Sequence, residues 1–197
     1  MGIDRKKYMD LSEIKHLRET TAAWAALDLQ RGRQQGIKAW MIVDLATSTG
    51  LRVGEIVSLD IEDIDLRRGL LTVVRLKRRT KRPESLAISN GLRDHLRQYI
   101  ENEGRDKGPL LNSQRRDRMT AIGASQVWKT AITRAGLPRE LSIHSARHTV
   151  AVHLLKKTKN LRLVQKQLGH SSPATTANMY CDIEFDDMLH AVNGLYQ

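Results

Sequence analysis

Cysteine is almost missing from this 197-residue chain, with Cys181 its only example. One thiol cannot close an intrachain disulfide, and it is a poor start for a cysteine-based metal cluster. Aromatic side chains are scarce at 4%, with a single Phe. The core must therefore lean on Leu, Ile, Val and Ala. A base-stacking platform of the single-strand-binding kind lacks its material. No apolar run approaches the ~20 residues that cross a bilayer. Met1 to Lys7 carries no apolar signal core. These absences predict a cytosolic, reducing compartment and no membrane partner.

Positive charge is abundant. Lys and Arg total 33 against 22 Asp and Glu, a net +11 with a pI near 10.1. Such an excess points to a polyanion, nucleic acid above all, against the plainer reading of a solvated basic surface. Hydrophobic residues make up 40% of the chain, ordinary for a globular fold, and the length suits one domain.

The patterning is mostly helical. Asp10 and Glu13 form a capping box for a helix to about Gln30, with Ile14, Leu17, Trp24 and Leu27 on its apolar face. Gly32 to Gly36 reads as a loop. A second helix, Ile37 to Thr47, stops in Ser48-Thr49-Gly50, and a short one follows from Val53 to Leu59. Gly69 to Lys77 and Pro83 to Ile88 read as two strands joined by a basic hairpin tip. Asn90 caps a helix to about Glu103, and Gly104 to Arg118 reads as a loop. From Ile122 the pattern is helical nearly to the end, broken at Gly136-Leu137-Pro138 and around Gly169 to Pro173. The expected fold is mostly α with a small antiparallel β-ribbon, one domain over residues 1–197.

Three segments carry possible chemistry. In Thr49-Gly50-Leu51-Arg52-Val53-Gly54-Glu55, Arg52 opens a helix, where a guanidinium beside unpaired N–H groups suits a phosphate. Glu55 is placed to hold that guanidinium, and an ordinary surface Arg–Glu pair is the competing reading. In His144-Ser145-Ala146-Arg147-His148, helical spacing crowds both histidines and the arginine on one side. A zinc site on His144 and His148 lacks the glutamate of HExxH and an obvious third ligand. A core role is the plain alternative for His148. In Leu168-Gly169-His170 through Tyr180, Gly169 and Pro173 bend the chain about His170, and a short helix then presents Tyr180. This stretch also fits a DNA-reading helix–turn–helix.

Taken together and in order, TGLRVGEIVSLDIEDID, HSARHTVAVHLLKK and LVQKQLGHSSPATTANMY resemble the catalytic domain of tyrosine recombinases, the family of phage integrases, Xer-type resolvases and fimbrial-switch invertases. The resemblance runs from about Leu11 to Tyr180. It implies that Arg52 and Arg147 grip the scissile phosphate, with His170 adding a hydrogen bond. It implies that Tyr180 is the nucleophile and His144 its proton acceptor or relay. The family's lysine lies in the hairpin, where Lys77 fits best and Lys81 is the alternative. His148 carries over as a packing residue. The implied partner is double-stranded DNA, with a monomer in solution joining a synaptic tetramer, and no cofactor or metal is implied. The ribbon residues Arg75, Arg78, Arg79, Lys81 and Arg82 are expected along the DNA. Two rival readings are a type IB topoisomerase-like enzyme and a DNA-binding regulator that kept the fold and lost catalysis.

The resemblance starts almost at Met1, leaving 1–10 as an extension. It suggests either an excised domain or a short member without an N-terminal core-binding domain, as in fimbrial-switch invertases. Past Tyr180, Asp182, Glu184, Asp186 and Asp187 alternate with Ile183, Phe185 and Met188. Residues 181–197 are expected to form a tail helix, docked on its own domain or donated to a neighbouring protomer.

Overall fold

A computed structural model of the chain describes residues 8–75, 82–113 and 117–169. Its first helix, α1 (Leu11–Gln30), begins where Asp10 and Glu13 satisfy one another. Asp10 Oδ1 accepts the Glu13 N–H at 2.9 Å, and Glu13 Oε2 accepts the Asp10 N–H at 2.8 Å. The expected capping box is present. Leu17, Trp24 and Ala25 face inward, whereas Leu27, expected on the same face, is half exposed.

The core is organised on α2 (Gln35–Thr49), which begins two residues earlier than its apolar run implied. Ile37, Met41, Ile42, Val43, Leu45 and Ala46 are all buried. A helix apolar on every side must be surrounded, and α2 packs against α1, α4, α5 and α6. It ends at Gly50, whose φ of +68° is the left-handed conformation that glycine adopts without strain. The short α3 (Val53–Ser58) follows.

The ribbon has a third strand. A 3-10 turn over Ile61–Asp63 leads into β1 (Ile64–Asp65), which pairs antiparallel with β2 (Leu70–Val74). That strand pairs with β3 (Pro83–Ala87), giving the order β1-β2-β3. Two residues are too few for a period-two pattern, which is why β1 was not legible. The register sets Leu71 against Leu86 and Val73 against Glu84. Leu71, Val73 and Leu86 point into the core.

Helix α4 (Asn90–Glu103) is capped by Ser89, not by the expected Asn90: the Leu92 N–H donates to Ser89 Oγ at 3.3 Å. Thr120 caps α5 (Ala121–Arg134). The last described helices are α6 (Ile143–Thr158) and α7 (Leu161–Leu168). Between them Lys159 takes φ +49° and Asn160 caps α7, a break not anticipated from the sequence. The N-terminal stretch is tied to α6, because the Met9 N–H donates to Thr149 Oγ1 at 2.9 Å. Among the described residues, no helix is long and apolar enough to cross a membrane.

Candidate active site

Three chain turns meet where α2 ends, α6 begins and α7 ends. Gly50 is crowded as well as left-handed: a Cβ there would collide with the Leu168 side chain and lie 3.2 Å from Val150 Cβ. Only glycine lets α6 and α7 approach the turn this closely.

Arg52 occupies the N-cap position of α3. Its backbone N–H donates to Glu55 Oε2 at 2.9 Å, and its guanidinium donates to Glu55 Oε1 at 3.0 Å. Glu55 is fully buried, while the Arg52 side chain is 24% exposed. The expected Arg–Glu pair forms, and it holds a partly accessible guanidinium against a dry carboxylate.

Arg147 projects from α6 into the same place and is buried. It donates to the Gly50 carbonyl at 2.8 Å and to the Leu168 carbonyl at 2.7 Å. One side chain thus joins turns 97 and 21 residues away in sequence. Burial depresses its pKa to about 10, helped by the charges of Arg52 and Arg75 and opposed by Glu55. It remains a cation at neutral pH. Of its five N–H hydrogens two are committed to these carbonyls, which leaves donors for an anion.

His144 stands one turn before Arg147 and is exposed. Its ring meets the His148 ring edge-on, with centroids 4.6 Å apart. His148 is half-buried, in keeping with a packing role.

Arg75 requires a correction. Expected along DNA, it is 1% exposed and turned inward. The reason is strand alternation: Leu71, Val73 and Arg75 share the core face, while Thr72 and Val74 point out. Its guanidinium bonds Glu55 Oε2 at 3.2 Å, Glu84 Oε2 at 3.3 Å and the Gln167 carbonyl at 2.8 Å. Sequence reasoning missed this role for Arg75 and Glu84, although the period of two was there to find it. Arg82 is exposed. Lys77, Arg78, Arg79, Lys81, His170, Tyr180 and the 181–197 tail lie outside the described residues.

A mostly helical body with a small antiparallel sheet and this arginine cluster has the fold of a tyrosine recombinase catalytic domain. The chain belongs to the phage integrase family, whose sequence profile matches residues 7–186. It is 37% identical over 139 residues to tyrosine recombinase XerA of Thermococcus kodakarensis, covering 69% of this chain and 48% of that protein. Against tyrosine recombinase XerC of Mycobacterium leprae it is 34% identical over 174 residues, covering 81% and 56%. Among solved structures, XerA recombinase superposes with a TM-score of 0.73 at 26% identity, over 87% of this chain and 59% of that one. The post-cleavage complex of XerH with a palindromic difH substrate gives a TM-score of 0.75 at 19% identity, over 96% and 53%, a likeness of fold. The chain spans about half the length of the curated relatives it matches.

Proposed function

We propose that this chain is a site-specific DNA recombinase that cuts and rejoins strands through a covalent bond to Tyr180. The observation that carries this reading is Arg147. It ties the Gly50 turn to the Leu168 turn and lies close enough to Arg52 for that charge to lower its pKa. Motifs far apart in the chain thereby converge on one positively charged point, as phosphoryl transfer needs.

In the proposed reaction the Tyr180 oxygen attacks the scissile phosphorus. The bond to the 5′ oxygen breaks, leaving a 3′-phosphotyrosyl ester and a free 5′ hydroxyl. His144 takes the tyrosine proton and Lys77 supplies one to the leaving oxygen. Arg52, Arg147 and His170 stabilise the non-bridging oxygens as negative charge builds. A 5′ hydroxyl from a partner strand reverses the sequence of events. The ester conserves the bond energy, so no ATP is consumed.

Double-stranded DNA is the proposed substrate, supported by the net charge of +11. Pairing of sites in a tetrameric synapse is proposed by analogy with lambda integrase, described as a tetramer bound to a Holliday junction. The proposed location is the cytoplasm, with the protein held at the nucleoid by DNA.

The test is a suicide substrate, nicked so that cleavage cannot reverse. The parent should form a covalent protein–DNA adduct. Tyr180→Phe should form none while still binding DNA, and an adduct in that variant would sink the assignment. Tyr8, Tyr99 and Tyr196 should be dispensable for the bond. Tyr99 is a poor nucleophile on physical grounds, since its hydroxyl is buried and burial raises its pKa.

A further inference from the structure

Arg75 sits at the base of the basic ribbon yet is withdrawn from solvent. A buried guanidinium is costly unless its donors are satisfied, and here three elements satisfy them. Nε reaches Glu84 on β3, one terminal nitrogen reaches Glu55 on α3, and the other reaches the Gln167 carbonyl in the last turn of α7. An apolar side chain would complete the inward row of Leu71 and Val73 without any charge to compensate. An arginine adds directional bonds to all three neighbours.

Two of these bonds bear on the proposed chemistry. Glu55 uses one oxygen for the Arg52 guanidinium, while the other receives both the Arg52 N–H and Arg75. Gly169 lies against Arg75 so closely that a Cβ would stand 2.7 Å from Arg75 Cζ. His170 is the next residue in the chain.

We propose that Arg75 is a positioning residue for strand transfer: from the foot of the ribbon it fixes Arg52 through Glu55 and fixes the end of α7 that leads into His170. The inference rests on the recombinase reading above. Arg75 itself touches no substrate. Its bonds tie β3, the Arg52–Glu55 pair and the last turn of α7 to one another.

The experiment compares Arg75→Met and Arg75→Lys with the parent on two suicide substrates. One carries an ordinary scissile phosphate. In the other a methylphosphonate replaces one charged oxygen with a methyl group, so less negative charge builds up and the arginines matter less. On the phosphate, R75M should slow adduct formation by about 10²-fold, the scale of a displacement near 1 Å, with single-site binding little changed. On the methylphosphonate that deficit should shrink markedly. R75K should recover only part of the rate, because an ammonium lacks the guanidinium's fixed fork. Thermal melts establish that each variant is folded at the assay temperature, and if R75M is not, R75K is read in the same way. Equal rates for parent and variant on the phosphate overturn the inference alone. So does an equal deficit on both substrates, which marks general weakening. No adduct from the parent on the phosphate overturns the recombinase reading and this inference together.

Discussion

Glu55 carries two guanidiniums on one carboxylate from which water is excluded. Removing the carboxylate takes it from both guanidiniums, and for a buried cation such as Arg75 the loss of a buried partner costs about 3–5 kcal/mol. Arg52 differs from Arg75 in being partly open to solvent, the exposure that contact with the phosphate requires on the proposed mechanism. On the proposed mechanism, Arg52→Ala and Arg147→Ala should each lower the rate of adduct formation by roughly 10²–10³-fold, the scale of losing one donor to a developing oxyanion. Binding to a single site should change far less, since many other basic residues contribute. Lysine at either position should restore only part of the rate. Rapid-quench measurement of the adduct, with gel shifts for binding, checks both parts. A parent-like rate in either alanine variant removes that arginine from the clamp.

Helix α2 delivers Gly50 to the site, so whatever orients α2 orients the turn that follows it. Its Asp44 is buried between helices and is bonded by Arg18 of α1 and His95 of α4, the latter at 2.6 Å. The His95 ring in turn stacks on Trp40, centroids 3.6 Å apart. Burial pushes the Asp44 pKa upward, but the His95 hydrogen bond and the Arg18 charge outweigh it and hold the pKa below 3.8. A lowered carboxylate pKa gives stability that is complete above the unfolded value and lost as pH falls through the folded one. Asp44→Asn should therefore cost about 1–3 kcal/mol near neutral pH, since it weakens charge-assisted hydrogen bonds to His95 and to an Arg18 that stays partly solvated. The gap from the parent should narrow once the pH drops below 3.8. Melting curves at neutral pH and in strong acid test this, and a gap that widens in acid would contradict it.

For the molecule as a whole, on the proposed function, the excess of positive charge governs encounter with DNA more than it governs the fold. Each phosphate neutralised contributes about 0.9 to the slope of log affinity against log salt. Neutralising Arg78 and Arg79 together should flatten that slope by about 1.8 and weaken binding evenly across sequences. A loss confined to one sequence would instead mark base readout. On the proposed function, the acidic, apolar sequence past Tyr180 is expected to bear on assembly. Truncation after Ile183 should leave single-site binding intact while impairing complexes on paired sites, if the tail docks on a neighbour. Gel-shift stoichiometry decides this, and identical higher-order complexes with and without the tail would rule out its donation to a neighbour.

The sequence by itself determined the helical plan, the Asp10 capping box, the Gly50 stop and the Arg52–Glu55 pair. All are local: periodicity, caps and neighbours three residues apart act within one element. It also carried the order of motifs that marks the family. Only tertiary structure decided that Arg147 bridges Gly50 and Leu168, because those contacts cross 97 and 21 residues of chain. The same holds for β1, whose two residues are defined by pairing with β2, whereas Ser89 over Asn90 as the α4 cap is a local choice between neighbouring residues of nearly equal propensity. Arg75 shows the division most clearly. Its run of basic neighbours reads as a solvated ribbon, while its place in the alternation turns it inward. What made that burial affordable was the arrival of Glu55, Glu84 and the Gln167 carbonyl from three other elements, which no local pattern encodes.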